Sequence, residues 1–133
     1  MSLHNEDTGQ TPDQVQVARE IWLEHENSVT RAGLISAFAQ SRFLVPLVAN
    51  KNVDISEMVQ VTFQSNDGRK ACLAFTSVED LQKFDANARP LIKLASALAL
   101  ETLEQNLDGI IVDIASEHRI ALTLREIASI AQG

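Results

Sequence analysis

At 133 residues, with a hydrophobic fraction of 45% and a charged fraction of 22%, the chain suits a globular domain able to bury roughly two-thirds of its unfolded surface without metals or disulfides. Its 11 Lys and Arg against 18 Asp and Glu give a net charge of −7, which argues against nucleic acid or an anionic membrane surface as partner, since both reward basic patches. The single cysteine, Cys72, excludes an intramolecular disulfide, and within Ala71-Cys72-Leu73-Ala74-Phe75 it reads as a small buried hydrophobe.

Residues 1–10 are polar, and a flexible N-terminus is expected there, followed by one domain over 11–133. Thr11-Pro12-Asp13-Gln14 announces a helix, with Thr11 as N-cap and Pro12 at the first helical position. Val15, Ala18 and Trp22 share its apolar face, flanked by Val17 and Ile21. Asn27-Ser28 interrupts it, and a second helix follows to about Arg42, with Ala32, Gly33, Ala37 and Ala39 small enough for close packing. Phe43 to Ala49 is a strand whose Pro46, lacking an N–H, is expected at an edge or a bulge. Met58 to Phe63 alternates as a half-buried strand does, and Asn66-Asp67-Gly68 turns it into a second strand from Lys70 to Phe75.

Ser77 then caps a short helix ending near Phe84, and Leu91 to Leu94 is a further strand. A helix from Ser96 to Leu107 turns Ala99, Leu103 and Leu107 inward. The last quarter reads as strand, turn, strand and helix: Gly109 to Val112, an Ala115-Ser116-Glu117-His118 turn, Ile120 to Leu122, and a helix capped by Thr123 and Glu126 with an apolar face of Leu124, Ile127, Ala128 and Ala131. The succession predicts an α+β fold, a mixed or antiparallel sheet of about five to six strands with helices packed over it.

Val45-Pro46 after a helical start, Leu73-Ala74-Phe75-Thr76-Ser77 with Leu81 following, and the hairpin from Asp108-Gly109-Ile110-Ile111-Val112-Asp113 to Arg119-Ile120-Ala121-Leu122 together resemble the N-terminal domain of the SseB family over residues 28–133. That family takes its name from an enhanced-serine-sensitivity phenotype. The resemblance implies the α+β fold and brings no catalytic residues. Asp113-Ile114 stands where many relatives have Asn-Pro, so the turn differs there.

Two constellations merit attention. One turn gathers Asp113, Ser116, Glu117, His118 and Arg119, where an imidazole oriented by a carboxylate could move a proton and a guanidinium could hold an anion. Polar residues also simply solvate turns and pair weakly with one another. The second is the first helix: residues 1–27 hold Glu6, Asp7, Asp13, Glu20, Glu24 and Glu26 against Arg19 alone, −5 of the net −7. Within it Trp22, with Val15 and Ala18, is either core or an aromatic anchor for another chain.

His4, His25 and His118 lie too far apart in sequence for a metal motif, and no Gly-x-Gly-x-x-Gly, Gly-Lys-Ser/Thr or Gly-x-Ser-x-Gly occurs. Neither a cofactor nor a metal is expected. No apolar run approaches the roughly 20 residues that cross a bilayer, and the first residues lack a secretion signal's basic and apolar regions, so a cytoplasmic protein is expected. The sequence thus favours a non-enzymatic interaction or regulatory module with a protein partner or self-association. The alternative is binding of an amino-acid-like metabolite, or minor hydrolysis, at the 113–119 turn.

Overall fold

A computed structural model of the chain describes residues 12–48 and 59–132. In order the elements are α1 (Pro12–Glu24), α2 (Ser28–Ala39), β1 (Arg42–Val48), β2 (Val59–Gln60), β3 (Thr62–Gln64), β4 (Lys70–Ala74), α3 (Val78–Phe84), β5 (Arg89–Leu94), α4 (Ala95–Glu104), β6 (Gly109–Val112), β7 (Ile120–Leu122) and α5 (Leu124–Gln132). The fold is α+β as the patterning predicts. The expectations for residues 1–10, the Thr11 cap and Met58 fall outside the described residues.

Local chemistry sets most element ends. Asn27 caps α2 reciprocally with Thr30, and Ser77 caps α3 by accepting from the Asp80 amide at 3.1 Å. Thr123 and Glu126 exchange amide bonds of 3.0 and 3.2 Å at the start of α5. Gly68, at φ 88°, supplies the left-handed residue of the β3–β4 hairpin. The helix expected to reach Leu107 stops at Glu104 instead. Asn106 turns left-handed at φ 57°, with Asn106 N–H bonding the Leu103 carbonyl and Leu107 N–H that of Thr102, the bond pair that closes a helix C-terminus.

Two sheets form: β2-β1-β5, wholly antiparallel, and β3-β4-β6-β7, in which β4 and β6 run parallel across the α3-β5-α4 crossover. The single strand expected over residues 58–63 is divided between them. Val59–Gln60 pairs with β1, Thr62–Gln64 pairs with β4, and the break falls at Val61.

Pro46 therefore lies in a central strand, not at an edge. Leu44 exchanges both backbone bonds with Phe75, and Pro46 accepts from the Val61 amide at 2.9 Å. Antiparallel partners alternate between bonded and non-bonded pairs, so the nitrogen of Pro46 also faces the side where the neighbouring strand breaks. The missing donor sits where the ladder is already interrupted.

β1 is buried on both faces. Phe43 and Val45 join the larger core beneath α1, α2, α4 and α5, with Cys72, Leu98, Val112, Ile127 and Ile130. Leu44 joins a smaller core with Leu73, Phe75, Leu81 and Ala88 beneath α3. Ile127 and Ile130 carry the inner face of α5, whereas Leu124, expected inside, is 46% exposed. Its position in the first turn, just after the β7 corner, carries it past the core's rim.

Candidate functional site

The turn after β6 begins with a residue under tight constraint. Asp113 adopts φ 56°, a left-handed conformation that Asp tolerates better than most non-glycine residues. Its N–H bonds the Ala74 carbonyl and its own carbonyl accepts from the Ser116 N–H, both at 2.8 Å. The carboxylate is wholly buried. The Thr76 amide donates to Oδ1 at 2.9 Å and the Thr76 hydroxyl to Oδ2 at 2.7 Å. Arg19 Nη1 donates to Oδ2 at 2.9 Å, with the Arg19 side chain itself only 12% exposed. One carboxylate thus ties α1, the β4–α3 junction and the β6–β7 connection together.

The other members of the predicted constellation stand differently. Ser116 is half-buried, and its hydroxyl accepts from the His118 amide at 2.9 Å while its carbonyl accepts from Arg119 Nη1 at 3.3 Å. Glu117, His118 and Arg119 are exposed. Arg19 Nη1 lies 3.5 Å from the His118 carbonyl. The structure therefore brings Asp113, Ser116 and the backbone of His118 together around Arg19, whereas the imidazole and the Glu117 carboxylate face solvent. Asp113 spends its oxygens on scaffold donors, and an exposed imidazole lacks the desolvation that strengthens acid–base chemistry.

Arg19 was legible only as the one base among the acids of residues 1–27. A second arginine left no such trace. Arg31 donates to both Glu126 oxygens, at 2.7 and 2.8 Å, and to the Ala121 carbonyl at 2.8 Å. Its guanidinium also lies 5.0 Å above the Trp22 ring, a cation–π distance. Hydrogen bonding from Arg31, foremost, and from the Thr123 amide holds the Glu126 carboxyl below its usual range despite partial burial. Trp22 is thereby covered by the molecule's own side chain. Val15 is 1% exposed, and Ala18 packs against the same core. The α1 face read as either core or aromatic anchor packs against the core through Val15, Ala18 and Trp22, and Val17, Ile21 and Leu23 are the helix's exposed apolar residues.

Cys72 is buried, and burial pushes its thiol up, the opposite of what a nucleophile requires. Among the described residues no cluster of three or more His, Cys, Asp or Glu is placed to hold a metal ion, and no helix is long and apolar enough to cross a membrane.

Among the described residues, two open surfaces lie on the sheets. A shallow groove of about 450 Å³ lies over the outer side of the second sheet, floored by Phe63, Ala71, Ile111 and Ala121. The other is β5, an outer strand of the first sheet. Leu91 is 40% exposed there, and Ile92 and Leu94 are 52% exposed. Lys93 alone is drawn in, bonded to Gln60 at 3.0 Å and to both Glu101 oxygens at 2.6 Å. Sequence reasoning placed this strand but missed its exposure, because an apolar run is the same whether a neighbour covers it or not.

An α+β domain of two small sheets, with its buried charges used as internal ties, is the class that fold and site define. Residues 18–129 match the SseB protein N-terminal domain, and the chain belongs to that family. No curated protein and no solved structure matches the chain.

Proposed function

We propose that the protein is a non-enzymatic interaction module of the cytoplasm that works by docking to protein, including copies of itself. The observation that carries this reading is β5. An outer strand with apolar side chains about half exposed is a feature that natural sheets otherwise blunt or cover, because its free backbone groups and apolar surface template association. The turn at 113–119 supports the same reading from the other side, since its buried carboxylate holds the scaffold and its imidazole stands in water. Sedimentation at high micromolar concentration, together with affinity capture from cell extract, tests the reading. A complex larger than one chain is expected in at least one of them, and a one-chain mass with nothing captured contradicts it.

A second reading, an amino-acid-like metabolite held at the turn, draws on two guanidinium groups bonded to the turn's backbone, Arg19 to the His118 carbonyl and Arg119 to the Ser116 carbonyl. It predicts that an amino-acid panel raises the melting temperature of the native chain. It predicts too that His118→Ala with Arg119→Ala abolishes the rise; no rise in the native chain disposes of it.

A further inference from the structure

The backbone of β5 specifies a partner more narrowly than its apolar side chains do. β5 runs antiparallel to β1 with Leu44 opposite Ile92, Pro46 opposite Pro90 and Arg42 opposite Leu94. Leu44 and Pro46 turn their backbone groups away from β5, toward Phe75 and Val61. Their partners Ile92 and Pro90, and Leu94 in the same alternation, must therefore turn theirs outward, while Leu91 and Lys93 bond β1. The Ala95 N–H, bonded to the Ser41 carbonyl at 3.1 Å, continues that alternation.

The outward edge thus offers both groups of Ile92, the carbonyl of Pro90 and the N–H of Leu94. Pro90 has no N–H to offer. Leu94 is the N-cap of α4, so its carbonyl takes the first intrahelical bond and is spent.

We infer that β5 pairs antiparallel with β5 of a second copy about a twofold axis through Ile92. This rests on the interaction reading above and names its partner. In that register the two Ile92 residues exchange both bonds, and each Leu94 N–H meets the Pro90 carbonyl of the other copy. The proline's missing donor and the N-cap's spent acceptor fall opposite each other, so no outward group is left unpaired. A register shifted toward Pro90 sets its nitrogen against a live carbonyl, and one shifted toward Leu94 sets the Ile92 N–H against the carbonyl already spent on α4.

Side chains agree with the backbone. Pro90, Ile92 and Leu94 share one face, so pairing joins them with their symmetry mates into one apolar stripe. On the other face Lys93 falls opposite Leu91, and Arg89 opposite Ala95. No like charges stand directly opposed, which would count against pairing.

The contact is isologous and closes at two copies, giving a six-stranded sheet. A strand edge and three half-exposed apolar side chains per copy fall below the ~1,200 Å² of ordinary specific interfaces, so the dimer is weak. Each copy carries −7, so screening strengthens the pairing as salt rises. Docking of these basic side chains onto a foreign acidic protein would weaken instead.

The test is sedimentation of the full chain beside oxidative cross-linking. Cα atoms of a bonded antiparallel pair lie about 5.5 Å apart, within a disulfide's span. Ile92→Cys is therefore expected to cross-link rapidly on mild oxidation, while Val29→Cys, 78% exposed on α2, is not; the buried Cys72 is out of reach. Ile92→Lys sets two ammonium groups face to face and is expected to raise the dimer dissociation constant more than about tenfold. Its melting transition should persist, since position 92 is outside the core. A native chain that stays at one-chain mass at high micromolar concentration overturns the pairing, and a protein still captured from extract then leaves the interaction reading standing. A native dimer in which the two cysteine variants cross-link equally, or in which Ile92→Lys leaves the mass unchanged, also overturns it.

Discussion

Asp113 shows how far a residue's surroundings can redirect its chemistry. Among ionisable neighbours in a turn it reads as an orienting carboxylate, yet its oxygens are taken by Thr76 and by Arg19, 94 positions away. Asp113→Ala strands a nearly buried guanidinium and a backbone amide, and puts Ala at φ 56°. It is expected to cost about 3 kcal/mol or more in urea denaturation. Asp113→Asn keeps the conformation and part of the hydrogen bonding, so a smaller loss is expected. Equal losses would locate the effect in the charge alone. Glu126 adds a pH signature. Because Arg31 lowers its pKa in the folded state, its stabilising contribution is present above the usual carboxylate range and disappears as pH falls through the lowered value. Glu126→Gln is expected to be less stable at neutral pH, with the difference narrowing in acid unfolding curves.

Elements were legible where one short stretch contains the whole cause. Ser77 and Thr123 cap helices with side chains reaching only three residues along the chain, and Asn66-Asp67-Gly68 carries its own turn geometry. Thr123→Ala should cost about 1 kcal/mol through the lost cap, and Gly68→Ala about the same through its φ of 88°. Thermal melts of the two variants check both values. What could not be read was the exchange of partners at Val61. Apolar side chains at Val61 and Phe63 keep their alternation while the backbone leaves one sheet for the other, and side-chain periodicity is silent about which strand accepts the bonds. The central position of Pro46 was hidden for the same reason, because it depends on a break in a different strand.

At the scale of the molecule, most of the charge excess lies far along the chain from β5. Most of the −7 lies in residues 1–27, while the exposed residues of the β5 edge are Arg89 and the apolar Pro90, Leu91, Ile92 and Leu94. Association through that edge therefore gains from burying apolar area and is opposed by repulsion between the bodies. Raising the salt concentration in sedimentation runs is expected to raise the fraction of dimer; a fraction that falls would point to an electrostatic contact elsewhere. Composition gave the net charge, and the chain pattern gave fold class and strand positions. Which strand is outermost is a property of the completed sheets, and no local pattern records it.

The most direct measurement is residue-resolved hydrogen exchange of the β5 amides at low and high protein concentration. Leu91 and Lys93, bonded to β1, should be protected at both. Ile92 and Leu94, turned outward, should exchange freely when dilute and become protected when concentrated. Exchange at Ile92 and Leu94 that is indifferent to concentration would contradict the claim that this strand is where the protein docks.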